Sequence, residues 1–130
     1  MTQEYKELLL QDLCARLPYG VKCKDININV IGTLSQIGLH YDMCVLDKDD
    51  GDSESCYIPN CKPYLFPLSS MTEEQKEEYC QLQQRVIYNS KGLVNVDIMK
   101  YVNWCYENHL DINGLFPLGL AIDATNLNVY

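Results

Sequence analysis

Two pairs of soft donors stand out in this chain. Cys105 and His109 are four residues apart, one turn of a helix, and His40 and Cys44 have the even spacing that puts both on one face of a strand. Brought together, the pairs would make a four-ligand tetrahedral zinc site, and a thiol beside a histidine is also the start of a thiolate nucleophile. Nothing local compels them to meet. The seven cysteines contain no C-x-x-C pair, and with no secretory signal at the N-terminus they are expected as reduced thiols filling core positions. Asp47, Asp49, Asp50, Asp52 and Glu54 offer hard oxygens for calcium. Placing Gly51 at the sixth position of a calcium loop, however, puts Leu46 first and Tyr57 last, where carboxylates belong. A solvated hairpin tip is the expectation there. Ser35, Ser69 and Ser70 lie in no G-x-S-x-G or Gly-rich phosphate loop, and neither histidine belongs to H-E-x-x-H. No catalytic residue, metal or cofactor is assigned.

The aromatic inventory is the other chemical resource: ten Tyr, two Phe and one Trp. Tyr57, Tyr64, Phe66, Tyr101, Trp104 and Tyr106 bracket a proline-rich segment and the last helix. Aromatic faces with a few polar tips suit stacking of a base or another planar ligand, and Arg16 or Arg85 can hold a phosphate bidentately. Half-buried tyrosine at element edges is also ordinary packing.

The elements that must position these groups follow from periodicity. Thr2 to Leu17 reads as an amphipathic helix with Tyr5, Leu8, Leu9, Leu13 and Leu17 on one side, stopped by Pro18. Val21 to Lys24 is a short strand, and Ile26-Asn27-Ile28-Asn29-Val30 alternates strictly, predicting a strand that continues to about Leu34. Ser35 to Gly38 reads as a hairpin connection before a second strand over Leu39 to Leu46. A third strand, Ser55 to Ile58, follows the acidic turn. Cys61 to Leu68 carries two prolines and is expected as an extended crossing strap. Thr72-Glu73-Glu74-Gln75 is a capping-box pattern opening a helix to about Tyr88, closed by Asn89 to Gly92. The last helix starts at Asn95 as N-cap, with Val94 and Met99 as a hydrophobic staple, and carries Ile98, Val102, Cys105 and His109 on one face. It breaks after Leu110, where Gly114 can take a left-handed turn. The apolar LFPLGLAID segment is expected to dock.

Together these predict one α+β domain over residues 1–130: a small three- to four-stranded antiparallel sheet packed by three helices. Length alone supports a single core without staples. The net charge of −8 and pI near 4.5 argue against a duplex nucleic-acid surface, which needs clustered cations. No apolar run is long enough for a membrane span, so a cytosolic protein is expected.

Two stretches, KPYLFPLSSMTEEQKEEY and WCYENHLDINGLFPLGLAIDA, carry a resemblance. The chain resembles, from about Leu9 to Ala124, a family of small uncharacterised proteins encoded by phages and prophages of gut anaerobes. In these, K-P-[YI]-L-x-P-[LM]-S-x-[ML]-T precedes a helix and H-x-D-x-x-G-L-[IF]-x-x-G-L-A-[IL] closes the chain. The resemblance transfers no residue roles. It implies an accessory protein of a mobile element, in the host bacterial cytosol, of the kind that counters host defence. The resulting expectation is a non-enzymatic binding protein, with a homo-oligomer among its expected partners, that sequesters a small nucleotide-like signal. Tyr57, Tyr64, Trp104 and His109 would stack on or hydrogen-bond the base and ribose, and Arg85 or Lys62 would meet phosphate. An acidic inhibitor of a host protein, using the runs Asp47 to Glu54 and Glu73 to Glu78, is the alternative; a nucleotide-cleaving enzyme is the third.

Overall fold

A computed structural model of the chain describes residues 1–38, 40–88 and 95–130. Helix α1 (Gln3–Arg16) begins where the Thr2 side chain accepts a hydrogen bond from the Tyr5 amide, satisfying one of the free N–H groups of the first turn. It buries Leu9 and Leu13 completely, worth about 1.5–3 kcal/mol each. A 3-10 turn, Leu17–Tyr19, carries Pro18, and Gly20 at φ 67° releases the chain into the sheet.

The sheet is larger than expected. Strands β1 (Lys22–Asp25), β2 (Val30–Gly38), β3 (Met43–Asp47), β4 (Ser53–Tyr57), β5 (Cys61–Leu65) and β6 (Ile122–Asp123) form one six-stranded sheet in the order β4-β3-β2-β1-β5-β6. All neighbours are antiparallel except β5 and β6, which run parallel. The sheet is therefore mixed, with six strands in place of three or four antiparallel ones. The prolines mark the strap as extended, and extended backbone beside β1 completes a ladder, Cys23 opposite Pro63 and Asp25 opposite Cys61.

Ile26 to Asn29 is a turn rather than a strand. The Asp25 carboxylate accepts from the Asn27 amide at 2.9 Å, the Asn29 amide donates to the Asp25 carbonyl at 2.8 Å, and Asn29 adopts φ 60°. Asp and Asn close such a turn with their own side chains, leaving Ile26 and Ile28 about half exposed. The Ser35 to Gly38 segment, expected as a hairpin connection, is the second half of β2, which is irregular between Leu34 and Gln36. The actual turn lies at Tyr41 and Asp42, with Asp42 at φ 53°. At Gly32 the strands approach so closely that an added Cβ would stand 2.8 Å from the Asp47 carbonyl oxygen, so only glycine fits.

Strands β4 and β5 are joined by three residues, the 3-10 turn Ile58–Asn60, yet three other strands separate them in the sheet. So short a link across so many strands requires a strongly curled sheet. Its concave side holds the core: Val21, Cys23, Leu34, Cys44, Leu46, Cys56, Ile58, Cys61 and Leu65, covered by Leu9 and Leu13 of α1 and by Leu115 and Leu120 of the docked C-terminal segment.

Helices α2 (Glu73–Tyr88) and α3 (Asn95–Glu107) pack on each other. The predicted capping box is present: Thr72 Oγ1 accepts from the Gln75 amide at 3.1 Å and Gln75 Oε1 accepts from the Thr72 amide at 3.0 Å. The α2–α3 seam is aromatic, Tyr79 against Tyr101 and Trp104. The predicted closure at Asn89 to Gly92, the Val94 staple and the Asn95 side-chain cap lie outside the described residues. Among the described residues, no helix is long and apolar enough to cross a membrane.

Candidate functional site

Helix α3 ends three residues earlier than its sequence pattern suggests, and the ending builds the site. The His109 amide donates to the Tyr106 carbonyl and the Leu110 amide to the Cys105 carbonyl, each at 3.0 Å. This is the Schellman closure, which needs a left-handed residue after the helix. That residue is His109, at φ 58°, where glycine is usual; Gly114 is also left-handed, at φ 72°, but in the following loop. A side chain in this conformation costs about 1–2 kcal/mol, offset here by dense local bonding. The chain then turns back along the strap: the Phe66 amide donates to the His109 carbonyl at 2.8 Å and the Asp111 amide to the Phe66 carbonyl at 3.0 Å. The Asp111 carboxylate accepts from the amides of Leu115 and Phe116, holding the docked segment in place.

Beneath this junction lies a buried polar knot. Arg16, fully buried, donates through Nε to Asp12 at 2.8 Å and through a terminal nitrogen to the Leu110 carbonyl at 2.7 Å. Its guanidinium lies 4.9 Å from the centre of the Tyr106 ring. Asp12 also accepts from the Asn113 amide nitrogen at 2.8 Å. One charged pair thus ties α1 to the loop after α3. It also removes Arg16 from any role as a phosphate clamp.

Between the strap and the end of α3 opens a cleft of about 330 Å3, lined by Phe66, Ser70, Thr72, Gln75, Glu107, Asn108, His109 and Leu110. Its volume is at the small end of the ~300–1,000 Å3 range of small-molecule sites. The His109 ring stacks on Tyr130, 3.8 Å between centroids and 12° from parallel, and Phe66 meets the same tyrosine at 5.9 Å. Tyr130 is pinned by its hydroxyl, which donates to the Tyr64 carbonyl at 2.7 Å and accepts from the Lys22 amide at 3.0 Å. Burial, with Arg16 adding repulsion, lowers the His109 pKa to about 4, so the imidazole is neutral at pH 7. Its Nδ1 is buried without a hydrogen-bond partner among the described residues. Asn108 is fixed by donation to the Trp104 carbonyl and accepts from Gln75. Among the described residues that line the cleft, Glu107 is the only charged one, and no Lys or Arg is present.

Of the six residues expected to bind ligand, His109 alone lines this cleft. Tyr64 is buried in β5, with its carbonyl turned to Tyr130. Trp104 donates to the Glu78 carboxylate at 2.8 Å and packs on Tyr79. Tyr57 is an exposed residue at the end of β4. Lys62 lies opposite Lys24 in the β1–β5 ladder, and Arg85 is exposed on α2. The structure does not gather these six around one ligand. Gln75 and Asn108, and Tyr130 behind the His109 ring, were missed, while Phe66 stood among the aromatic candidates but not among the six. A polar residue followed by His at a helix end hints at Asn108 and His109, whereas nothing local to Tyr130 signals its insertion between β5 and the histidine.

The two donor pairs do not meet either. Cys44 gathers with Cys56 and Cys61, while Cys105 stays buried on α3 with its thiol pKa pushed up to about 11 by burial. That disfavours a thiolate nucleophile. The acidic segment is the β3–β4 hairpin tip: Lys48 pairs with Glu54 at 3.4 Å and Asp50 at 3.8 Å, Lys22 reaches Asp49 at 3.6 Å, and Gly51 turns at φ 92°.

Fold and cleft together define an α+β chain with a curled mixed sheet and one amide-rich, ring-walled recess where its strap crosses its last helix. No family model, curated protein or solved structure matches the chain.

Proposed function

We propose that the chain is a non-enzymatic binding protein whose strap–helix cleft takes the ring of a small planar molecule of nucleobase type. The observation that carries this reading is the pairing of two ring walls, Phe66 and His109, with fixed amide groups on Gln75 and Asn108 in one recess. Rings supply stacking, and amides supply the directional donors and acceptors that distinguish one base edge from another. With Glu107 the only charge among the described lining residues, a phosphate on such a ligand would point away from the cleft into solvent. For an accessory protein of a mobile element, this activity would withdraw a base-containing signal from host defence.

The test is a thermal-shift series with nucleobases, nucleosides and linear and cyclic nucleotides. Saturation at a hundred times the dissociation constant stabilises by about 2.7 kcal/mol. The shift should be as large for a nucleoside as for its phosphate, and should fall in Phe66→Leu, which keeps apolar volume but removes the ring. A shift that requires phosphate, or no shift with any ring compound, counts against this cleft. The second reading, an acidic inhibitor of a host protein, draws on the exposed Glu73, Glu74, Glu77 and Glu78 of α2 and Asp49, Asp50 and Asp52 of the hairpin tip. Such a complex would weaken steeply with salt.

A further inference from the structure

Of the seven cysteines, Cys14 and Cys80 are exposed and Cys105 lies on α3. The other four, Cys23 on β1, Cys44 on β3, Cys56 on β4 and Cys61 on β5, point into the same core. The curl of the sheet draws three of them into a cluster. Cys44 and Cys56 face each other across the β3–β4 ladder, and the three-residue turn after β4 swings Cys61 against both. The sulfurs of Cys44, Cys56 and Cys61 all lie within 4.8 Å of one another. None of the three side chains is more than 1% exposed.

We propose that Cys44, Cys56 and Cys61 form a three-sulfur site for a thiophilic metal ion, with monovalent copper the best fit. The first argument is geometric. At a metal–sulfur distance of about 2.3 Å, a planar three-coordinate ion needs sulfurs about 4 Å apart. No side of the triangle in the core exceeds 4.8 Å, and small side-chain rotations complete it. The donors all stand on β-strands, Cys61 as the first residue of β5, so the triangle is held by backbone pairing rather than by mobile loops.

The second argument is chemical. Thiol sulfur is the soft donor that selects monovalent copper and zinc over harder cations. Structural zinc almost always takes four ligands, and the cluster offers three. Cys23 is buried in the same core but does not belong to the mutually close triangle. Full burial in the apolar core suits an ion satisfied by three sulfurs.

A cysteine sulfur ligates as its thiolate, so filling the site with one monovalent ion forms three copper–sulfur bonds and releases three thiol protons to solvent, and nothing is oxidised or reduced. Entry is through β4, the edge strand of the sheet, whose separation from β3 uncovers Cys44 and Cys56.

The experiment titrates the reduced protein, purified without oxygen, with monovalent copper held by a coloured competing chelator. One copper per chain should transfer, with a near-ultraviolet sulfur-to-copper band, and the apparent affinity should rise with pH because the thiol protons are displaced on loading. Cys56→Ser and Cys44→Ala should each weaken binding at least tenfold, whereas Cys14→Ser/Cys80→Ser should bind as the natural chain does. Failure of the natural chain to take copper from the chelator overturns the proposal, however the variants fold. So does binding that survives loss of Cys44 and Cys56, or that disappears in Cys14→Ser/Cys80→Ser. Retention of zinc with a four-sulfur cobalt-substitution spectrum that depends on Cys23 would also overturn the three-sulfur assignment.

Discussion

Replacing Asp12 with alanine tests the joint on which the cleft rests. Asp12 is 1% exposed and Arg16 not at all. They form a direct ion pair, and Arg16 in turn holds the Leu110 carbonyl. Removing the carboxylate leaves a guanidinium in the core with no counter-charge, which costs about 3–5 kcal/mol for a buried pair broken on one side. Asn113 loses its partner at the same time, adding about 1 kcal/mol. For a chain of this length each kcal/mol lowers Tm by about 3–5 °C, so Asp12→Ala should melt about 12–30 °C below the natural chain. Urea unfolding followed by circular dichroism measures the free energy directly. The decisive comparison is Asp12→Leu/Arg16→Met. Deleting both charges removes the penalty, and the double variant should recover most of the loss even though it has fewer hydrogen bonds. A loss below about 1 kcal/mol in Asp12→Ala, or a double variant no more stable than the single one, would refute the claim that an uncompensated buried charge sets the cost.

Stability should also fall between pH 6.5 and 4 because of His109. Its folded pKa of about 4 is below the ordinary ~6.5, so the unfolded chain takes the proton first. The contribution is complete above about pH 6.5 and lost as pH falls towards 4. Its ceiling is about 3 kcal/mol, and partial exposure brings it nearer 1–2 kcal/mol. His109→Gln should remove that slope from urea curves taken at pH 7 and pH 4.5; parallel losses in both chains would contradict it. Tyr130→Phe keeps the stack on His109 but deletes two hydrogen bonds, a cost of about 1–2 kcal/mol, visible as a lower urea midpoint. An unchanged midpoint would mean that the tyrosine hydroxyl does not fasten the C-terminal segment to β1 and β5.

The helices were legible because their signals are local: the Thr72 capping box, the Leu9 and Leu13 spacing and the Pro18 stop each lie within a turn or two of chain. The α+β class followed. The sheet was less legible because pairing is not local. Ile26 to Val30 has perfect alternation, but Asp25 and Asn29 have the side chains that close a turn, and turn chemistry prevailed over period. The strap was read as extended without its partner, since nothing in Cys61 to Leu65 names β1. The site fared similarly. His109 was singled out as a ring and a base, but its left-handed backbone, which ends α3 and opens the cleft, is set by contacts with Phe66 and Tyr130 that lie 43 and 21 positions away in the chain. Trp104 had the conspicuous chemistry and serves the α2–α3 seam.

The sheet's strand order fixes a sequence of assembly. Strands β1 to β4 pair through neighbouring turns and can zip up early, but β5 must wait for β1 to be in place, and β6 and the returning loop must wait for β5. Loop-closure entropy is paid before these distant pairings give anything back. The recess is made only at that final docking, because its two walls come from the segments that arrive last. A chain caught before that step would already own its hairpins and its first helix, and would have nowhere to hold a guest.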